Sequence, residues 1–451
     1  MTRHVVVIGG DAAGASAAST AKRALRKDAN VVVLERQQWT SYSTCGIPYW
    51  VAGLVDGPDR LVARSPEQHR ANGLVMKMQH NATRIDTAAG TVTAVDQTSG
   101  KEATFGFDDL VIATGATPVR PPIPGIDLPG VHGVQHLNHG MAVIEDTKRD
   151  ARRAVVVGAG YIGIEMAEAM QMRGLEVTIV DLAEQPMRSL DADMGELIAR
   201  EMEGMGLSYR GGEPVLAIEA GSDGRAAAVV TGGGTYPADI VVLGLGVRPN
   251  ARLAREAGLP VGEFGGLLTD DHMRVEGHTN IWAGGDCVEV LDRVTGRRVH
   301  SALGTHANKH GRVIGTNIGG GDLVFPGIVR TAVSKVCDLE ISRVGLKQEE
   351  AEDLGYAVVA ATIDSSTRGH YFPGSGMIRV KVIAEKGSGR LLGCQIVGMA
   401  GAAKRIDVPA AALWNRMTVE GVTSLDLGYA PPFSPVWDPV QIAARKCAAM
   451  V

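Results

Sequence analysis

Short runs of consecutive apolar residues, each closed by glycine or by an acid, recur through the first part of the chain. Val5-Val6-Val7-Ile8 stops at Gly9, and Val31-Val32-Val33-Leu34 stops at Glu35. Unbroken runs of this kind predict strands buried on both faces, as in a parallel sheet. Between them Ala15 to Arg26 reads as a helix with a small-residue face. Together the three segments predict a βαβ unit. The order repeats with Ala154 to Val157, a helix through Arg173, and Val177 to Val180 ending in Asp181. Leu110 to Ala113, before Thr114-Gly115, and Ile240 to Leu245, before Gly246, read as strand ends where the chain crosses between domains. Beyond about residue 327 the pattern changes. Segments 329–336, 356–362, 377–383 and 391–397 predict an antiparallel sheet, with helices near 347–354 and 402–416.

The fold class expected is therefore α/β. It has two Rossmann-like dinucleotide-binding domains, one discontinuous (1–118 with 253–327) and one inserted (119–252), and a third α+β domain at 328–451. A chain of 451 residues is too long for one core. The glycines of the two βαβ turns carry the chemistry. Gly158-x-Gly160-x-x-Gly163 is a complete fingerprint, in which the glycines allow a tight turn, close approach of a pyrophosphate and tight helix packing. The helix that follows offers free N–H groups to an anion. The first turn keeps Gly9 and Gly14 but has Asp11 at the middle position, an acid that must turn away or cap the helix. Glu35 and Asp181 stand where ribose hydroxyls are expected, and a carboxylate at 181 favours NADH over NADPH. Asp286, after Ala283-Gly284-Gly285, suits ribityl or ribose hydroxyls, and Leu303-Gly304-Thr305 opens a further helix.

Cys45 lies ten residues beyond Glu35, in Ser41-Tyr42-Ser43-Thr44-Cys45-Gly46-Ile47-Pro48-Tyr49. Ten extended residues reach at most ~33 Å, enough to run along a bound dinucleotide to its redox ring. No second cysteine follows at short spacing, so the thiol must exchange sulfur chemistry with an external compound. Gly46 and Pro48 suit a helix start, which predicts a lowered thiol pKa. The five cysteines are scattered and odd in number, which fits neither a disulfide framework nor a metal site and points to a reducing compartment. A net charge of −5 and 4% aromatic residues argue against a nucleic-acid partner. No long apolar run predicts a membrane span, and no signal peptide is read, so a cytoplasmic location is expected.

These residues together resemble the pyridine nucleotide-disulfide oxidoreductase superfamily, over nearly the whole chain. The single-cysteine loop resembles the branch of coenzyme A-disulfide reductases, NADH oxidases and peroxidases, and persulfide or polysulfide reductases. That resemblance implies an FAD domain, an inserted NAD(P) domain and a C-terminal dimerisation domain. It implies FAD and NADH or NADPH as cofactors, and coenzyme A as a thiol that can bond to Cys45. The stretch Leu427 to Pro439 is similar to that of the coenzyme A-disulfide reductases, which implies that Tyr429 reaches the cysteine of a second subunit; Tyr371 matches another family tyrosine. Oxidases and peroxidases of the branch carry a His where this chain has Ala12. Glu165 is a candidate to orient a nicotinamide or a solvent-facing acid. Lys22 and Arg23 could meet coenzyme A phosphates or form a solvated face, and Ser41 and Ser43 complete the substrate candidates. The expected activity is reduction of a small disulfide, foremost coenzyme A disulfide, in a homodimer. Persulfide reduction and peroxide-forming oxidation are alternatives on the same architecture. A redox-sensing flavoprotein and a ferredoxin reductase are alternatives of other classes.

Overall fold

The computed structural model describes residues 2–451. Its first layer is a five-stranded parallel sheet in the order Ile281–Ala283, Asp109–Ile112, Arg3–Ile8, Ala29–Glu35, Val75–Met78. Val5 lies opposite Val31 and Val7 opposite Val33. All four are fully buried, because helices or loops cover both faces. Burial of each such side chain contributes about 1.5–3 kcal/mol.

Helix Ala12–Leu25 packs on helix Gly304–Ile318. A Cβ at Gly311 would lie 2.4 Å from the Ala13 carbonyl oxygen, and one at Gly315 would lie 2.5 Å from that of Ala17. Only glycine at both places allows this approach, which explains the small-residue face read in the sequence.

The second sheet repeats the plan with Ser208–Arg210, Glu176–Val180, Arg153–Val157, Ile240–Leu243 and Val131–Gly133, all parallel. Two short antiparallel strands, Ala116–Pro118 and Val247–Pro249, carry the chain out of the first layer and back. The Thr114 hydroxyl donates to the Asn250 carbonyl at 2.6 Å and pins the two crossings together.

The C-terminal part is a five-stranded antiparallel sheet in the order Ala332–Val336, Leu339–Gly345, Leu391–Gly398, Met377–Glu385, Val358–Ser366. It docks on the second sheet's layer through the buried Lys381, whose Nζ lies 3.1 Å from Oδ2 of the buried Asp191 and 3.0 Å from Oδ1 of the more exposed Asp193. Among the described residues no helix is long and apolar enough to cross a membrane.

Candidate active site

A cleft of about 1830 Å³ runs between the three parts of the chain. Residues of both fingerprint turns line it, Asp11 to Ala13 from the first and Gly158 and Gly160 from the second. Gly9 and Gly158 both have positive φ, +100° and +99°, the tight turn that the sequence pattern requires. Gly158, Gly160, Gly115, Gly246 and Leu303-Gly304-Thr305 line the cleft. A Cβ at Gly115, Gly246 or Gly304 would meet no heavy atom within 4 Å, and one at Gly160 only the Gly244 carbonyl oxygen at 3.9 Å. Gly115 and Gly246 also have positive φ, +67° and +81°, which favours glycine there; at Gly160 and Gly304 the open space alone suits the close approach of a ligand. Gly14 and Gly163 instead serve packing, since a Cβ on either would lie 1.9 Å from the carbonyl oxygen of Gly9 or Gly158.

Glu35, Asp181 and Asp286 all border the cleft or the cavity beside it. Glu35 is buried at the end of its strand and accepts from Gly10 N and Gln37 N, both at 2.7 Å. With Gly9 and Thr114 it lines an adjoining cavity of about 720 Å³, which suits the adenosine end of the first dinucleotide. Asp181 accepts from Ala159 N and from Ala183 N at 2.5 and 2.8 Å. Asp286 borders both cavities, and burial raises its pKa. Asp11 makes no side-chain cap bond; its Oδ1 turns to accept from Tyr42 N at 3.1 Å.

Cys45 sits in the turn Thr44–Gly46, just before the short helix Ile47–Ala52. It is the one exposed cysteine; Cys287, Cys394 and Cys447 are buried and Cys337 is intermediate. Among the described residues no other cysteine lines the cleft. The loop is held on one side by Ser43 N donating to Leu61 O at 2.8 Å and Ala63 N to Ser41 O at 2.8 Å. A Cβ at Gly46 would lie 2.3 Å from Leu61 Cδ2, so a larger residue there would push that side chain aside. Ile47, Trp50 and Val51 bury the short helix against Leu137, Ile164 and Ala167 of the inserted domain, and the Arg173 guanidinium caps it at Val51 O, 2.5 Å.

The thiol contradicts one expectation from sequence. Its pKa is raised, not lowered. Desolvation by the cleft walls is the largest cause, followed by the carboxylates of Glu165 and Asp286. A hydrogen bond to its own backbone lowers it by less than these raise it. The following helix has only six residues, and its partial charge is outweighed.

Glu165 lies on the cleft wall rather than in solvent. Its Oε1 accepts from the Ser334 hydroxyl at 2.8 Å, across the boundary with the C-terminal sheet. Burial raises its pKa, and the Ser334 bond partly offsets that.

The substrate candidates divide. Ser41, Ser43 and Arg23 line the cleft. Lys22 does not, which corrects the expectation: its Nζ donates to Ala29 O at 2.7 Å and ties the helix to the next strand. Residues one helical turn apart explain the split, because Ser16, Thr20 and Arg23 share the cleft face and Lys22 points off it. Sequence reasoning missed Asn308 and Arg312 on the facing helix, and Arg64 and His69 beside the loop. Ser16 Oγ lies 2.9 Å from Asn308 Oδ1, and Ser41 Oγ 2.8 Å from His69 Nε2. The i, i+4 step from Asn308 to Arg312 was the available signal.

Tyr371 and Tyr429 are not brought to Cys45 within one chain. They are 68% and 50% exposed, and neither lines the cleft. Their two loops adjoin through Gly369 N donating to Pro431 O at 3.1 Å, beside the exposed Phe433, Val436 and Trp437.

Residues 3–311 match the model of the pyridine nucleotide-disulphide oxidoreductase family, and residues 331–439 that family's dimerisation domain. The chain belongs to this family. It is a flavoprotein oxidoreductase that uses FAD with NAD(P)H. Over 448 residues, 99% of this chain and 98% of the other, it is 39% identical to an NAD(P)H coenzyme A polysulfide/persulfide reductase of Pyrococcus horikoshii. A solved NAD-dependent persulfide reductase of A. fulgidus superposes with a TM-score of 0.95 at 40% identity, covering 99% of this chain and 83% of that one. A coenzyme A disulfide reductase of Staphylococcus haemolyticus is 26% identical over 98% of this chain and 99% of its own.

Proposed function

We propose that this protein passes an electron pair from NADH through FAD to Cys45, which breaks the sulfur–sulfur bond of a coenzyme A persulfide or disulfide. One observation carries the reading. The chain's single exposed thiol opens on the same cleft as both fingerprint turns, with no partner thiol there among the described residues. Bound FAD supplies a hydride acceptor that returns two electrons to sulfur. The Cys45 thiolate attacks one sulfur of the substrate, forms a mixed disulfide and releases the other as thiol. Two electrons then break the mixed disulfide, releasing the second thiol and restoring the Cys45 thiolate. The balance for the disulfide is NADH, one proton and CoA–S–S–CoA giving NAD⁺ and two CoA–SH. For the persulfide it is NADH, one proton and CoA–S–SH giving NAD⁺, CoA–SH and hydrogen sulfide.

Asp181 holds the adenosine ribose of NADH and disfavours a 2′-phosphate, while Glu165 orients the nicotinamide. Ser16, Thr20, Arg23, Asn308 and Arg312 form a polar wall that suits the pantetheine and phosphates of coenzyme A. Tyr429 of a second copy donates the proton to the departing thiolate, with Tyr371 beside it, so the working form is a homodimer. The exposed aromatic rim around both tyrosines supports that reading. Free thiols fit a cytoplasmic location. Relatives of 39–40% identity carry persulfide names, against 26% for the disulfide reductase, which supports the persulfide as substrate alongside the disulfide. Initial rates of NADH oxidation with coenzyme A persulfide, coenzyme A disulfide and oxygen test the proposal. A rate with oxygen alone, unaffected by Cys45→Ser, would refute it.

A further inference from the structure

Asp11 departs from the dinucleotide fingerprint, and the proposed reaction makes no use of it. It occupies the place of the glycine that normally admits a pyrophosphate. An acid is costly there. Burial, then the neighbouring Glu35 carboxyl, pushes its pKa up to about 7. Glycine would avoid that cost, so the side chain needs a compensating role.

The hydrogen bonds around it supply one. The fingerprint turn is stitched to the loop that carries Cys45 at three points. Two of them use the Gly10 carbonyl, which accepts from the Thr40 hydroxyl and from Ser41 N at 3.3 Å. Any residue at position 10 would provide that carbonyl. The third depends on a side chain: Asp11 Oδ1 accepts from Tyr42 N at 3.1 Å. Tyr42 is held again beyond this point. It bridges to Val62, and its hydroxyl lies 3.0 Å from Nδ1 of His136 in the inserted domain. Arg36 has only donors and lies 3.2 Å from His136 Nε2, so the neutral ring carries its proton on Nδ1 and donates to Tyr42. The tether of Asp11 therefore fixes the near end of a segment whose far end carries Cys45, three residues on.

We propose that Asp11 is a positioning residue for the redox loop, holding the Tyr42 amide so that Cys45 is fixed against the cleft. This rests on the reading of Cys45 as the group that reduces sulfur. The carboxylate acts as an acceptor rather than as a charge, so an uncharged acceptor of the same size serves as well. Asparagine keeps the acceptor. Leucine has the same number and branching of heavy atoms, is bulkier, and lacks it.

The test compares Asp11→Asn and Asp11→Leu with the unaltered, FAD-loaded protein. Hydrogen–deuterium exchange with fragment-resolved mass spectrometry follows the Tyr42 amide, and sulfur turnover follows Cys45. In Asp11→Leu the Tyr42 amide should exchange about tenfold faster, the scale set by loss of one hydrogen bond. Turnover with coenzyme A persulfide should fall about tenfold while flavin reduction by NADH stays within about twofold. Asp11→Asn should restore both exchange and turnover. Equal Tyr42 exchange in all three proteins would overturn the proposal. So would an Asn variant as impaired as the Leu variant, which would assign the role to charge. Should Asp11→Leu fail to hold FAD, Asp11→Gly takes its place with the same expected exchange rate, since it restores the fingerprint glycine and also lacks the acceptor. The exchange measurement does not depend on turnover. A wrong assignment of Cys45 would show as an unimpaired Cys45→Ser protein and would leave the Tyr42 result unchanged.

Discussion

Gly160 offers a substitution in which the demands of the fold and of the ligand separate. Its backbone is extended, at φ −80° and ψ −171°, which alanine adopts freely. A Cβ there would meet only the Gly244 carbonyl oxygen, at 3.9 Å, an ordinary contact. Gly160→Ala therefore costs the fold only the N-cap preference, about 1 kcal/mol or less, a shift of a few degrees in Tm at most. On the proposed reading, the methyl group instead enters the space that the nicotinamide dinucleotide's pyrophosphate would approach. A loss of about 1.4 kcal/mol in binding corresponds to tenfold in affinity, and we expect at least about that rise in the KM for NADH. Anaerobic stopped-flow bleaching of the flavin against NADH concentration measures it; differential scanning fluorimetry and the FAD to protein ratio provide the controls. Gly158→Ala gives the contrast. Its φ of +99° is strained for alanine, and its Cβ would lie 2.6 Å from the Gly244 oxygen, so stability itself should drop. An unchanged KM in Gly160→Ala, with the fold intact, would refute the assignment of this turn to NADH.

Glu165→Gln removes a carboxylate that raises the Cys45 thiol pKa, so the pH midpoint for alkylation of Cys45 should move down; no movement, or a rise, would contradict the coupling. Ser334→Ala removes a bond that lowers the Glu165 pKa. Glu165 should then stay protonated to higher pH, and the acid limb of NADH-dependent flavin reduction should shift upward, with Ser334→Thr restoring it. Asp181→Ala should leave FAD content unchanged and narrow the preference for NADH over NADPH by about tenfold, read as the ratio of kcat/KM values; an unaltered ratio would place the ribose elsewhere.

Much of the fold was legible because both parallel sheets are buried on both faces, and runs such as Val5 to Ile8 and Val155 to Val157 carry that burial directly. The strand Leu339–Gly345 was missed because its polar positions hook other segments. Arg343 donates to Ser189 O at 3.0 Å, and Glu340 accepts from Ala403 N at 2.8 Å. Those charges hide the alternation on which strand reading depends. The small-residue composition around Cys45 singled out the thiol, but its pKa direction was misread. The cleft walls that desolvate it, and the carboxylates of Glu165 and Asp286, arrive from distant parts of the chain. Lys22 and Arg23 are neighbours in sequence with equal charge, and only the rotation of the helix separates their roles. Arg64 and His69 join the cleft through packing alone.

Replacing Cys45 by serine tests the account's central claim most directly, with flavin reduction and acceptor turnover followed in the same sample. Cys45→Ser should bind FAD, accept electrons from NADH at nearly the normal rate, and lose reduction of coenzyme A persulfide and disulfide by at least about a thousandfold. A serine protein that still turns over either sulfur compound at a comparable rate would contradict the account.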